Sequence, residues 1–275
     1  MSEKKAEMSQ AMKEKLAPKS FIKNPIKGTK YTVMVSSAKG GVGKSTFAVN
    51  LAFALKQLGK KVGLLDADIY GPSLPKLIGK NEKPENKDGK YIVPIDSHGV
   101  QCMSMGFLVE ETTPMIWRGP MVISAIKTLT ERVLWKDLDI IVIDMPPGTG
   151  DTQLTFAQDI KVDGAIIIST PQEVALLDVK RGIQMFDKTK INIFGLVDNM
   201  SFFKGDDGKN YNIFGEGGVE TTAKEFSKDF LGKIPLHQDL RISADKGIPL
   251  TFSNTKHEIS LIFNEIAEKI LKKLN

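Results

Sequence analysis

The run SSAKGGVGKSTFAVNLAFALKQLG, residues 36–59, constrains this chain more than any other, because a glycine-rich turn leads straight from an apolar strand into a helix-period segment with Gly59 as its expected stop. Such a turn can aim the consecutive backbone N–H groups of Gly40, Gly41, Val42, Gly43 and Lys44 at one anion, and the helix N-terminus adds the positive end of its dipole. Lys44 is then placed to reach terminal phosphates, the Ser45 hydroxyl to ligate magnesium, and Thr46 to contact an inner phosphate. A ligand-free strand-to-helix turn would leave the Lys-Ser-Thr run unexplained. The remaining sequence must supply a sheet that holds this turn.

From Tyr31 onward it does. Short runs rich in Val and Ile alternate with helix-period segments, the pattern of a mostly parallel, twisted sheet with helices on both faces, an α/β fold. The expected strands are YTVMVSS (31–37), KVGLLD (61–66), DIIVIDM (139–145), GAIIIST (164–170), INIFGLVDN (191–199) and FLGKIPL (230–236). Residues 80–105 read as a less regular insertion, a polar loop followed by a hairpin. Residues 1–30 read as a flexible lysine-rich tail with one short helix from Ala6 to Leu16, and 31–275 as one domain without repeat or linker.

Of the 275 residues, 41% are hydrophobic and 26% charged, which suits a globular domain and argues against disorder. The net charge of +5 comes mostly from scattered lysines, with no arginine-rich stripe or aromatic and basic ladder, so nucleic acid is not an expected partner. A single cysteine, Cys102, excludes a disulfide framework and an all-cysteine metal site within one subunit, and points to a reducing, cytoplasmic setting. The start MSEKKAEMSQ lacks a signal peptide's apolar region, and no apolar run approaches the ~20 residues of a membrane span.

Two strands end in acids where a magnesium nucleotide would need them, since ligands of open parallel sheets lie at the strands' carboxyl ends. In LLDADIYGPS, Asp66 closes its strand and Asp68 follows two residues on. In IIVIDMPPGTGD, Asp144 fits a magnesium carboxylate, direct or through water, and the Pro-Pro-Gly turn after it can sense a γ-phosphate. Phosphoryl transfer to water needs positioning and charge neutralisation more than a nucleophile, which Lys44, magnesium and the loop amides can supply. His98, His237 and His257 are far apart, without metal-ligand spacing, and read as surface or packing residues.

The loop departs from the plain G-x-x-x-x-G-K-[ST] pattern: Ala38 replaces the first glycine and Lys39 adds a second lysine. It resembles the phosphate-binding loop of the dimeric P-loop ATPases related to nitrogenase iron protein and to the division-site and plasmid-partition ATPases. That resemblance implies that Lys39 reaches the nucleotide of the opposite subunit, that Asp68 positions the attacking water, and that Asn199 contacts adenine with Pro235 and Leu236 flanking the ring. More closely, KGGVGKST, LLDADIYGPSLPKLIG, WRGPM, DMPPGTGD, STPQEVALLDVKRGI, DNMSFF and IFGEGG, in that order, resemble the Mrp/ApbC family of iron-sulfur cluster carrier ATPases. The likeness runs from Thr32 to the C-terminal helix. It implies a homodimer that binds and hydrolyses ATP and passes iron-sulfur clusters to apoproteins.

In that family a Cys-x-x-Cys pair usually lies between Asn-Met-Ser and Ile-Phe-Gly; here the place holds KGDDGKNYN, so no iron-sulfur ligand is assigned. Asp206 and Asp207 read as a solvated turn, and Cys102 as a buried structural cysteine. The alternative function is a positioning or scaffold ATPase without a cluster. Its support is EISLIFNEIAEKILKKLN, an amphipathic segment with a basic end, of a kind also used at membrane surfaces. The breadth of its apolar face, which includes Leu261, Phe263 and Leu271, instead favours a helix packed on the sheet, and peripheral membrane contact is not expected.

Overall fold

The computed structural model describes residues 23–109, 119–148 and 150–274. The helix expected from Ala6 to Leu16, Trp117 and Arg118 of WRGPM, and Thr149 of DMPPGTGD lie outside these residues. The first half runs β1 (Thr29–Ser36), α1 (Lys44–Gln57), β2 (Val62–Asp66), α2 (Leu74–Leu77), β3 (Asn86–Lys87), β4 (Tyr91–Ile92), β5 (Ile95–Ser97), β6 (Val100–Ser104), α3 (Gly119–Glu131) and β7 (Leu138–Asp144). The second runs α4 (Asp151–Asp159), β8 (Gly164–Ser169), α5 (Glu173–Lys188), β9 (Ile193–Lys204), β10 (Asn210–Tyr211), α6 (Gly218–Glu225), β11 (Phe230–Leu236), α7 (Gln238–Lys246), α8 (Leu250–Ser253) and α9 (Glu258–Leu274).

The main sheet has the order β10-β9-β8-β1-β7-β2-β6-β5, with β11 joined to β9. Among the described residues its pairings are parallel except those of β5 and β10. VGLLD of β2 and GAIIIS of β8 are buried along their whole length, which is why they are unbroken apolar runs rather than alternating ones. Because β1, β2 and β7 run the same way, their carboxyl ends meet at one edge, where Asp144 is the register partner of both Val35 and Asp66.

Helix α1 is buried almost all round, from Phe47 to Leu55, and Leu58 and Gly59 (φ 79°) end it where the sequence places the stop. Asn50 is the polar exception. Its side chain accepts the Thr251 N–H at 3.1 Å and donates to the Thr46 carbonyl at 2.9 Å, so the buried amide is satisfied and α8 is tied to the helix that carries the phosphate loop. The C-terminal α9 buries Ile259, Phe263, Ile266 and Ile270, and the Phe263 ring meets Phe47 of α1 at 5.5 Å. The amphipathic segment is thus a core element held by its apolar face, although Leu261, expected on that face, is exposed.

Three expectations need amendment. The fold reaches further back than Tyr31, for Ile26 is buried and Asn24 bridges Ile160 ahead of β1. Residues 80–105 hold the expected hairpin, β5 turning back on β6, but are not simply an insertion: β6 is a parallel partner of β2 in the main sheet, and β3 and β4 pair separately. Strand β9 does not stop at Asn199 but runs to Lys204, bent where Met200 takes φ 55° and the register against β11 shifts.

Candidate nucleotide site

The glycine-rich turn joins β1 to α1 at the carboxyl edge of the sheet. Gly43 caps α1 with φ 83°, and a Cβ there would lie 2.4 Å from Asn199 Nδ2, so both conformation and space require glycine. Asn199, buried on β9, donates that Nδ2 to the Val42 carbonyl at 2.7 Å. The loop is therefore held open from behind, and the first N–H groups of α1, which have no acceptor within the helix, remain for an anion.

Lys44, the first residue of α1, is buried, with its Nζ 2.5 Å from Asp144 Oδ1 and 3.2 Å from the Ser45 hydroxyl. A cation is thus already seated among the hydroxyl and carboxylate oxygens that would surround a metal ion. Asp66 is also buried. Its Oδ2 accepts the N–H groups of Ser73 and Leu74 and the Ser104 hydroxyl at 3.0, 3.1 and 3.0 Å, while Oδ1 accepts only the Asp68 N–H at 3.0 Å. Burial, and then the negative charge of Asp144, push the Asp66 carboxyl up to about 7. A hard, oxygen-rich donor set with one carboxylate poised this way fits magnesium, whose charge would draw the proton off.

Asp68 is half-buried; burial raises its carboxyl, and Lys44 partly opposes that. With Tyr70 and Gly71 it lines one wall of a cavity of about 470 Å³ whose other wall is Pro146, Pro147 and Gln153. Lys39 is exposed, touching the loop through its carbonyl, which accepts the Ser37 hydroxyl at 3.0 Å. Gly40 and Gly41 are exposed beside it, and Ser45 and Thr46 are half-buried. A second pocket, about 280 Å³, joins Gly43, Thr46, Asn199, Pro235 and Leu236 to Leu240, Arg241 and Asp245 of α7. All the residues expected to hold the base are therefore in one place.

Sequence reasoning missed four supports of this site. Gln153 is buried, donates to the Pro146 carbonyl and accepts the Ser36 hydroxyl at 3.4 Å, linking the Pro-Pro-Gly turn to the strand before the phosphate loop. The Gly148 N–H adds a 2.9 Å bond to the Ser37 carbonyl. Ser104 and the α7 wall of the base pocket are the others, and none carries a local pattern that announces it; the order of the parallel strands brings them in.

Where the family's cysteine pair is expected, β9 and β10 close a hairpin. Asp207 accepts the Lys209 N–H at 3.0 Å and the Tyr211 hydroxyl at 2.9 Å, bonds that hold its carboxyl below the usual range. It is a solvated turn. Cys102 is fully buried on β6, and burial followed by the charge of Asp96 raises its thiol far above the ordinary value.

A parallel sheet with a glycine cradle, a buried lysine and acids at its carboxyl edge defines a P-loop NTPase. Within that class the chain belongs to the family of NUBPL iron-transfer P-loop NTPases, whose profile matches residues 28–271. It is 47% identical over 251 residues to an iron-sulfur cluster carrier protein of Escherichia coli, covering 90% of this chain and 68% of the relative. The iron-sulfur cluster transfer protein NUBPL of Mus musculus is 46% identical over 253 residues, covering 91% and 79%. A nucleotide-binding protein from Archaeoglobus fulgidus, solved with ADP, superposes with a TM-score of 0.70 at 38% identity, over 80% of this chain and 87% of that one. The cell division ATPase MinD of Pyrococcus furiosus shares the fold, with a TM-score of 0.64 at 21% identity over 88% and 98%. The carrier family, not the division-site one, is this chain's own. No helix among the described residues is long and apolar enough to cross a membrane.

Proposed function

We propose that this protein is a magnesium-dependent ATPase that works as a homodimer in a reducing compartment and handles iron-sulfur clusters as cargo for apoproteins. The observation that carries the ATPase reading is the seating of Lys44 between Ser45 and Asp144 at the start of α1, with Asp68 lining one cavity and Asn199 another. Ser45 and Asp144 would hold magnesium, with Asp66 facing it through the free lone pair of Oδ1. The ion, when bound, neutralises phosphate charge. Lys44 leaves Asp144 for the terminal phosphates, the loop N–H groups hold the inner ones, and Asp68 orients a water in line with the leaving group. Asn199, its Nδ2 engaged by Val42, offers its carbonyl oxygen to an exocyclic amine, which favours adenine. Pro235 and Leu236 flank the ring.

The cargo reading rests on family membership, and the residues restrict how it can work. With the only cysteine buried and its thiol held protonated, the chain has no thiolate to give a cluster. Thiolates therefore come from another molecule. Anaerobic reconstitution with iron and sulfide, with and without glutathione, followed by incubation with an apoferredoxin, tests this. Expected is a labile cluster only when the thiol is present, and its transfer. No cluster under either condition would sink the cargo reading and leave the ATPase reading standing.

A further inference from the structure

The three histidines have no metal-ligand spacing in the sequence, yet the fold brings two of them together. His237 follows β11 and caps α7, its Nδ1 accepting the Asp239 N–H at 3.2 Å. His257 precedes α9, its Nδ1 accepting the Ile259 N–H at 3.2 Å. The two rings meet edge to face, with centroids 4.9 Å apart. His98, in contrast, stacks on Phe252 at 3.9 Å and is a packing residue.

The outer nitrogens of the paired rings turn toward carboxylates. His257 Nε2 lies 3.2 Å from Asp239 Oδ2, and His237 Nε2 lies 3.5 Å from Glu258 Oε1. One ligand atom from each of His237, Asp239 and His257 lies within 4.8 Å of the others. Bonds of about 2.0–2.2 Å to a tetrahedral ion put its ligand atoms roughly 3.3–3.6 Å apart, so only a modest contraction is needed. The imidazoles are the sheltered members, 26% and 15% exposed, whereas Asp239 and Glu258 are 53% and 61% exposed. A pocket of about 600 Å³ opens onto His237, Asp239 and Glu258 and gives an ion its path in.

We propose that His237, Asp239 and His257, with Glu258 as a fourth donor, bind a divalent first-row transition ion of the zinc or cobalt type. Two imidazoles and carboxylates suit such borderline ions, while magnesium prefers the all-oxygen set around Ser45 and Asp144. With Nδ1 accepting a backbone N–H, each neutral ring carries its proton on Nε2. Ligation through Nε2 replaces that proton with the ion, the ring proton passes through solvent to Nδ1, and the helix caps are given up. An affinity in the roughly micromolar range is expected from that exchange.

The test titrates cobalt(II) into the full chain in excess magnesium, without nucleotide because His237 also lines the base pocket. Binding is read by equilibrium dialysis with metal analysis and by the visible d–d bands. Expected is one cobalt per chain, weakened at least tenfold in His237→Asn and in His257→Asn. Asparagine is a good N-cap, so both helices keep their starts, and circular dichroism checks the fold. Asp239→Asn, at an exposed position, weakens binding while both imidazoles stay in place. No cobalt bound, or binding unchanged in either histidine variant, overturns the proposal.

Discussion

Lys44 and Asp144 are a buried ion pair, and on the proposed function they also serve the phosphates and magnesium. Removing the lysine leaves Asp144 beside Asp66 without its cation, and breaking a buried pair in this way costs about 3–5 kcal/mol. Lys44→Ala should therefore lower the melting temperature and also cut ATP turnover by at least about a hundredfold, since the charge it brings to the phosphates is lost. Steady-state phosphate release at saturating magnesium nucleotide checks this. Asp198 gives a prediction of a different kind. It is buried on β9 with Oδ1 unpartnered, and burial pushes its carboxyl up to about 7, against the pull of Lys233. Between about 4 and about 7 the folded state binds more protons than the unfolded one, so this group's contribution makes stability fall as pH rises through that window. Asp198→Asn removes the ionisation. Relative to the parent protein the variant should gain stability as pH rises from 4 to 7, by on the order of 2–4 kcal/mol, and no further above it. Urea unfolding of both proteins at a series of pH values reads the difference.

At the scale of elements, legibility followed how local the cause was. The strand–turn–helix from β1 to α1 was readable because its glycines and its Lys-Ser-Thr run lie together, and FLGKIPL forms β11 over the very residues expected. The hairpin of β5 and β6 is legible, but the place of β6 in the main sheet is not, because Val100–Ser104 owes it to pairing with the distant β2, a cause that no short window contains. The length of β9 was missed for a related reason: Met200 and the charged end of the strand break the apolar pattern, and β10 and β11 supply the hydrogen bonds that continue it. The base pocket lay between these cases. Asn199, Pro235 and Leu236 were named from a resemblance, but the contact of Asn199 with the loop is visible only in the fold. That contact predicts the effect of Gly43→Ala. The new Cβ would meet Asn199 Nδ2 at 2.4 Å at a residue with φ 83°, so the loop must shift or Asn199 must release Val42. Fluorescent ATP-analogue affinity should fall more than tenfold while the far-ultraviolet dichroism stays that of the parent. Phe263→Ala should do the reverse, costing about 3–5 kcal/mol of stability by opening a cavity against Phe47, with nucleotide affinity kept at temperatures where it remains folded.

For the whole molecule, the burial of the two loop lysines differs in a way that bears on assembly. Lys44 is buried against its own Asp144, whereas Lys39 is exposed on the outer side of the same loop, beside the exposed Gly40 and Gly41. In the proposed homodimer one protomer would bring a single lysine to its own phosphates, and the second would serve the neighbour, acting as an arginine finger does. If Lys39 acts within its own subunit, Lys39→Ala and Asp68→Asn proteins should each be inactive, alone or mixed. If it acts in a twofold dimer, mixing restores activity, because the Lys39→Ala subunit keeps its own Lys44 and Asp68 and receives Lys39 from the Asp68→Asn partner. The other site of that dimer stays dead. Random reassortment makes about half of the dimers mixed, each with one working site of two, so recovery should approach about a quarter of the parent turnover. Turnover per protomer should also fall on dilution as dimers dissociate, while Lys39→Ala leaves nucleotide affinity nearly unchanged. Parent-like turnover in Lys39→Ala alone, or no recovery on mixing proteins that each still bind nucleotide, would count against a composite site.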